Sequence, residues 1–251
     1  MKHYLLVLVT LFLLSCNSND EVLENSNQDL TNTQKTFLPI TLTSSDQTTH
    51  FVYDEQNRLI SYQENATDNF YSKKYTIHYK NNLVEKVFLN YESQDHYSYT
   101  NEYSFKYNTD EVIITNNFKD INDYSVKQTN SIKIDKSNFL KTGHGILAIY
   151  DNKKNLTEVI HNNLDTKHTF DNKNAIFKNV NTPQWLLYSI LQLGIHRTNN
   201  PIKIEYNQTN LNESNTSSIT YEYNSEGYPI KRYSTEDDYL TTETEIEYII
   251  K

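Results

Sequence analysis

Carboxylates and imidazoles are the groups in this chain that could do chemistry, and their spacing gives most of them ordinary work. Glu243, Glu245 and Glu247 recur at every second position, which places three carboxylates on one face of a strand. Asp237-Asp238 adds an acidic pair just before them. A glycosidase needs two carboxylates facing each other across a cleft, whereas a common wet face gives a row of solvated charges; the row is the expectation. Of the eight histidines, His161 and His168 lie seven positions apart, and isolated strand imidazoles such as His78 serve as hydrogen-bonding surface groups. Cys16 is the lone cysteine, so there is no thiolate set for zinc. Gly143-His144-Gly145 holds two of the four glycines and reads as a flexible connection rather than a ligand cradle. Gly-x-Ser-x-Gly, Gly-rich phosphate-loop and HExxH motifs are missing from the sequence. The expectation is a protein that is not an enzyme and carries no catalytic residue, metal or cofactor. A hydrolase whose carboxylates converge only in the folded sheet is the remaining enzymatic reading.

The elements that must position these residues repeat. Phe51–Tyr62, FVYDEQNRLISY, alternates inward and outward residues through Tyr53. It reverses over Asp54-Glu55-Gln56-Asn57, where Asp opens a turn and Asn tolerates the left-handed conformation. Leu59–Tyr62 then returns as a second strand. Similar units run through Tyr75–Leu89, Tyr103–Thr115, Ile132–Leu140, Leu147–Leu156, His168–Ile176 and Ile219–Ile230, and Asp-x-x-Asn-x-Leu/Ile fits at 54, 135 and 171. Seven polar-turn hairpins in phase with period-2 alternation predict an all-β fold, an antiparallel meander that forms a curved sheet or a closed, barrel-like domain. Closure would remove the exposed edges of so long a meander. With only 4 Gly but 33 Asn, asparagine is expected to take the left-handed turn positions. The 21 Tyr must supply much of the packing, their hydroxyls seeking water or a partner. One segment departs from the pattern. Thr182-Pro183-Gln184-Trp185 starts a helix with Thr182 as N-cap and Pro183 at the first helical position, and Gly194 stops it. Apolar around most of its circumference, it predicts a short helix plugging one end of the core.

Ahead of the domain, residues 1–15 form a secretion signal: Lys2 and His3 precede the apolar run Leu5–Leu14, too short to span a bilayer. Leu13-Leu14-Ser15-Cys16 resembles a bacterial lipobox, whose cysteine is acylated, so Cys16 is the expected lipidation site and the membrane a partner through that anchor. Residues 16–36 are polar and acidic, an expected disordered tether, with Asp20 and Glu21 resembling an acidic surface-export signal. Residues 37–251 then make a single β-meander domain. The formal charge of −9 argues against nucleic acid as a partner.

The hairpins look like YD-type repeats, and the domain as a whole resembles the DUF4595-like group of Bacteroidetes lipoproteins of unknown function. Thr169-Phe170-Asp171-Asn172-Lys173-Asn174-Ala175-Ile176-Phe177-Lys178-Asn179-Val180 follows that group's Tyr-Asp-x-Lys-x-Asn-Pro-Phe stretch, with Ala175-Ile176 in place of Asn-Pro, and Asn199-Asn200-Pro201-Ile202 follows its next landmark. The resemblance implies a porin-like β fold and an outer-membrane lipoprotein, periplasmic or surface-exposed; it implies no activity. Three functions follow as expectations. The first is a non-enzymatic binding or structural module, with exposed Tyr beside Asn, Asp and Lys ready to stack on a glycan or a protein partner. The second is a transport or pore-forming barrel, since membrane strands also alternate. The third is the carboxylate hydrolase.

Overall fold

A computed structural model describes residues 35–193, 198–208, 210–211, 213–236 and 239–251, the side chains of 236 and 239–241 excepted. The signal, Cys16, the tether up to residue 34, Gly194 and Asp237-Asp238 lie outside the described residues.

Sixteen strands follow one another: β1 (Phe37–Ser44), β2 (Gln47–Tyr53), β3 (Leu59–Ala66), β4 (Tyr71–Lys80), β5 (Leu83–Ser93), β6 (Ser98–Tyr107), β7 (Glu111–Asp120), β8 (Ser125–Ile134), β9 (Leu140–Gly143), β10 (Ile146–Tyr150), β11 (Leu156–His161), β12 (Leu164–Phe170), β13 (Pro201–Gln208), β14 (Glu213–Tyr223), β15 (Pro229–Glu236) and β16 (Tyr239–Ile250). Each pairs antiparallel with its sequence neighbours, and β16 closes on β1 from Phe37↔Ile250 to Ser44↔Thr244. The meander is therefore a closed barrel, which leaves no strand edge free to template aggregation.

The turns opened by Asp54 and Asp135 fall at one end, where even-numbered strands hand over to odd ones. Asn57, Asn81, Asn82 and Asn138 have positive φ there, and Asn69 and Asn162 do so at the other end. This is the substitution of Asn for Gly that the composition predicted. Tyrosine has a specific part in the same design. The Tyr53 hydroxyl donates to the Pro39 carbonyl at 2.8 Å, Tyr79 to Leu59 at 3.0 Å, Tyr107 to Val84 at 2.8 Å, Tyr221 to Pro201 at 3.0 Å and Tyr248 to Pro229 at 2.9 Å. In each case a Tyr on an even strand satisfies a carbonyl at the start of the odd strand before it. Bulges next to the turns, such as those at Val52/Tyr53, His78/Tyr79 and Glu222/Tyr223, interrupt the ladder where extra partners are needed.

A sixteen-stranded barrel is too wide for its own side chains to fill. The connection between β12 and β13 fills part of it. It carries α1 (Gln184–Ser189), and Phe177, Val180, Trp185, Leu186, Leu187 and Leu191 are buried in the barrel's hydrophobic core. Side chains and backbone of the same connection bond to the turns of that end. The Asn179 amide donates to the Phe37 carbonyl at 3.0 Å, Asn181 N–H to Asn57 O at 2.9 Å, and Trp185 N–H to Asn138 O at 3.3 Å. This end is sealed.

Three local expectations are corrected. His168–Ile176 is not a hairpin: Asp171 is met by Asn200 (Asp171 N to Asn200 O 3.0 Å, Asn200 N to Asp171 Oδ1 3.0 Å), so the return strand is β13, after the plug. Thr182 does not cap the helix; Pro183 occupies the N-cap without a side-chain bond. The Thr182 hydroxyl instead accepts from Leu59 N–H at 2.7 Å, leaving the first helical turn to burial among the strands. Gly143-His144-Gly145 is a tight turn rather than a flexible link, with His144 and Gly145 at positive φ, and a Cβ on Gly143 would overlap the Ile132 side chain.

The turn carboxylates make stability depend on acid. Asp54 Oδ1 accepts from Gln56 and Arg58 N–H, each at 2.9 Å, and Oδ2 accepts from Arg58 Nε at 2.7 Å. Burial alone would raise its pKa; the bonds from Arg58 and Gln56 together outweigh that and hold it below the usual carboxylate range. Asp135 is lowered in the same way, burial being overcome by Phe139 and Ser137 N–H and by Lys154. A depressed carboxylate contributes stability above its unfolded pKa of about 4 and loses it as pH falls through the folded value. We expect the melting temperature to drop below about pH 4. The double variant Asp54→Asn, Asp135→Asn should flatten that drop and lower the neutral-pH melting temperature by roughly 2–4 °C per turn. Thermal melts across pH test this, and an unchanged acid slope in the variant contradicts it.

Candidate functional site

Inside the barrel the character of the wall changes along the axis. Near the sealed end Val84, Val112, Ile132, Leu140 and Trp185 are fully buried. Toward the opposite end the inward positions turn to amides and phenols. Asn101 on β6, Asn116 on β7, and Gln128 and Asn130 on β8 line a cavity of about 790 Å³. Strand register places them side by side, Tyr103 opposite Asn116, Asn116 opposite Gln128 and Ile114 opposite Asn130. The amide oxygens of Asn101 and Asn116 are buried and accept no hydrogen bond among the described residues. A buried acceptor left unpaired costs free energy that a donor arriving there recovers.

Aromatic rings run along the same rim. Tyr71 stacks near Tyr91 (centroids 6.2 Å), Tyr91 on Tyr99 (4.8 Å), and Tyr99 meets Phe118 at 5.3 Å. Tyr71 is fixed by its hydroxyl, which donates to Glu64 Oε1 at 2.8 Å, while Lys73 pairs with the same oxygen at 3.0 Å. Burial first, then the Glu64 carboxylate, pushes the Tyr71 phenol up to about 12. The wall therefore offers π faces beside amide acceptors and donors, an arrangement for binding polar, many-hydroxyl molecules rather than for transferring protons.

A second cavity, of about 500 Å³, lies along β11–β15 and shares Ile146, Tyr188 and Gln192 with the first. His161, His168 and Arg232 reach it. Burial lowers the His168 pKa, opposed in part by a bond with the Thr157 backbone.

The outer wall is charged. Lys231 bridges Glu243 at 2.9 Å and Glu245 at 3.0 Å, Lys86 meets Glu102 at 2.5 Å, and Lys203 meets Glu205 at 2.7 Å. The Glu243/Glu245/Glu247 row is thus a solvated strand face, as its spacing indicated. His78 is on the same outer surface, edge-on to Phe88 at 5.4 Å. His161 and His168, unremarkable by spacing, come to one cavity; among the described residues, no three His, Cys, Asp or Glu groups gather as a metal site would require. Tyrosine is mostly inside rather than exposed, with Tyr97 and Tyr124 as exposed members at the open rim. Sequence reasoning missed the amides and Arg232. The alternation Tyr99-x-Asn101-x-Tyr103 was the available signal, since it sets an amide on an otherwise aromatic face.

No family model matches this chain, and no curated protein matches it. Among solved structures, fourteen chains match, one of them a porin-like protein from Bacteroides vulgatus ATCC 8482. That protein aligns at a TM-score of 0.45 and 13% identity over 84% of this chain and 99% of its own.

Proposed function

We propose that this chain is a lipid-anchored, non-enzymatic binding module of the outer membrane, periplasmic or surface-exposed, that receives a glycan through the open end of its barrel. The observation that carries the reading is the stacked Tyr71–Tyr91–Tyr99 strip beside the unpaired amides of Asn101 and Asn116. Sugar rings offer C–H faces to aromatic rings and hydroxyls to amides, so this wall matches them group by group. The anchor rests on Leu13-Leu14-Ser15-Cys16 and on the likeness of the hairpins to those of the DUF4595-like lipoproteins.

The pore reading shares the barrel but meets a different wall. A bilayer-spanning barrel turns an apolar band about 25 Å tall to the lipid. Here the outward rows hold Lys86, Glu102, Lys203, Glu205, Lys231 and Glu245, and one end is filled by the helical connection. Both features favour a binding module over a channel.

A glycan array probed with the Cys16→Ala chain tests the proposal. Retained glycans, with affinity falling about tenfold in Tyr99→Ala, support it. An array without hits, or hits indifferent to Tyr99→Ala, refutes the lumenal glycan site. A chain that needs detergent to leave the membrane even as Cys16→Ala returns the pore reading.

A further inference from the structure

We infer that the smaller cavity is a second binding site, for an apolar molecule ending in a carboxylate, and that Arg232 holds the anionic end. The site uses none of the stacked tyrosines or unpaired amides of the glycan wall, although the two cavities meet at Ile146, Tyr188 and Gln192.

Strand β15 shows the contrast directly. Lys231 points outward and is held by two glutamates. Arg232, the next residue, points inward, opposite Tyr221 on β14 and Thr244 on β16, and reaches the cavity. Among the described residues its buried Nε makes no hydrogen bond, and no carboxylate forms an ion pair with it. The acids near the lumen are taken. Glu64 is bound by Lys73 and Tyr71. Asp171 accepts from Asn200, Lys173 and Tyr223. A half-buried guanidinium whose Nε lacks a partner gains when something negative joins it.

The rest of the cavity states what that something must carry. Leu156, Val159, Leu164, Ile204 and Ile219 form its sides and Phe177 its inner end. These side chains offer no hydrogen bonds and suit an apolar body, while Thr166, His168, Tyr206 and Gln192 in the same lining can meet a few polar groups along it. Leu164 and His161 stand at the open rim, while Pro201 and Phe177 belong to the sealed half, so the cavity runs along the barrel and suits an elongated molecule. Its volume of about 500 Å³ lies in the range of small-molecule sites, ~300–1,000 Å³. One guanidinium neutralises one charge and presents a planar fork matching a carboxylate. A phosphate dianion would leave a net charge among the same leucines.

Isothermal titration of the full Cys16→Ala chain, which has no acyl group of its own, tests the site. Decanoate, decanol and decyl phosphate are the probes, with wild-type Arg232, Arg232→Met and Arg232→Lys. Decanoate should bind at least about tenfold more tightly than decanol and more tightly than decyl phosphate. Arg232→Met should bring the acid down to the alcohol, and Arg232→Lys should restore part of the difference. The ligand-free Arg232→Met chain should melt within about 2 °C of its parent, because the half-buried side chain leaves its Nε without a partner. Equal binding of acid and alcohol, or acid binding unaffected by Arg232→Met, overturns the inference. Glycan binding without decanoate binding would do so as well, leaving the glycan reading in place. Decanoate binding through Arg232 on a chain that retains no glycan supports the carboxylate site and removes the glycan one.

Discussion

Trp185→Ala should destabilise the barrel by about 3–5 kcal/mol. The indole is wholly buried, edge-on to Phe105 at 5.3 Å and to Tyr107 at 6.3 Å. Its neighbour Gln184 ties the helix to the wall, its Oε1 accepting from Leu140 N–H at 3.2 Å and from the Tyr150 hydroxyl at 3.1 Å. A helix of six residues has no stability of its own in water, so it exists only through these contacts. Removing the ring opens a cavity at the point where β6, β8 and β9 meet the plug. The melting temperature should fall by roughly 10 °C. Trp185→Phe is the informative companion. The Trp185 Nε1 is buried without a partner among the described residues, so replacing indole with phenyl removes an unpaired donor while keeping most of the ring, and that variant should lie much closer to the parent. Urea unfolding followed by circular dichroism measures both. A Trp185→Ala chain within about 2 °C of its parent would mean that the connection decorates the barrel rather than filling it.

The contrast between the seven expected hairpins and the sixteen observed strands shows which information is local. Asp54 and Asp135 open turns that close within a few residues, Asn57 N–H returning to Asp54 O and Asn138 N–H to Asp135 O, and such turns are written in the sequence. Asp171 carries the same frame, yet its partner is Asn200, 29 positions away, and the frame has no way to signal that the chain leaves the sheet there. Thr182 failed as an N-cap for the same reason: the competing donor, Leu59 N–H, is 123 positions distant. The lumen was harder still. Period-2 alternation assigns faces only while the register holds, and β14 and β15 shift at Glu222/Tyr223 and Ser234/Thr235. Without the strand pairing, Arg232 and Lys231 are two adjacent cations; with it, one belongs to the outer wall and one to the cavity. The abundance of Tyr was visible, but its use on carbonyls such as Pro39 and Pro229 depends on which strands become neighbours.

Cys16→Ala should convert a membrane-bound protein into a released or unprocessed one while leaving the barrel intact. The residues Leu13-Leu14-Ser15-Cys16 end an apolar run of signal length, and acylation of the cysteine would give the protein at least two hydrocarbon chains. Each buried methylene contributes about 0.8 kcal/mol, and a single chain attaches only reversibly, so two or more make the difference between transient and stable anchoring. The barrel should not register the change. Its described hydrogen bonds begin at Thr36, whose N–H donates to Lys251 O at 2.8 Å, and its hydrophobic core begins at Leu38. Membrane fractionation with radiolabelled palmitate on the wild type and Cys16→Ala, with a thermal melt of each, separates anchoring from folding. Label on the wild type alone, loss of the mutant from the membrane fraction and equal melting temperatures are the expected results. An unlabelled wild type, or equal membrane fractions for the two chains, would show that the apolar run ends in an ordinary cleavage site and that the barrel reaches its place by other means.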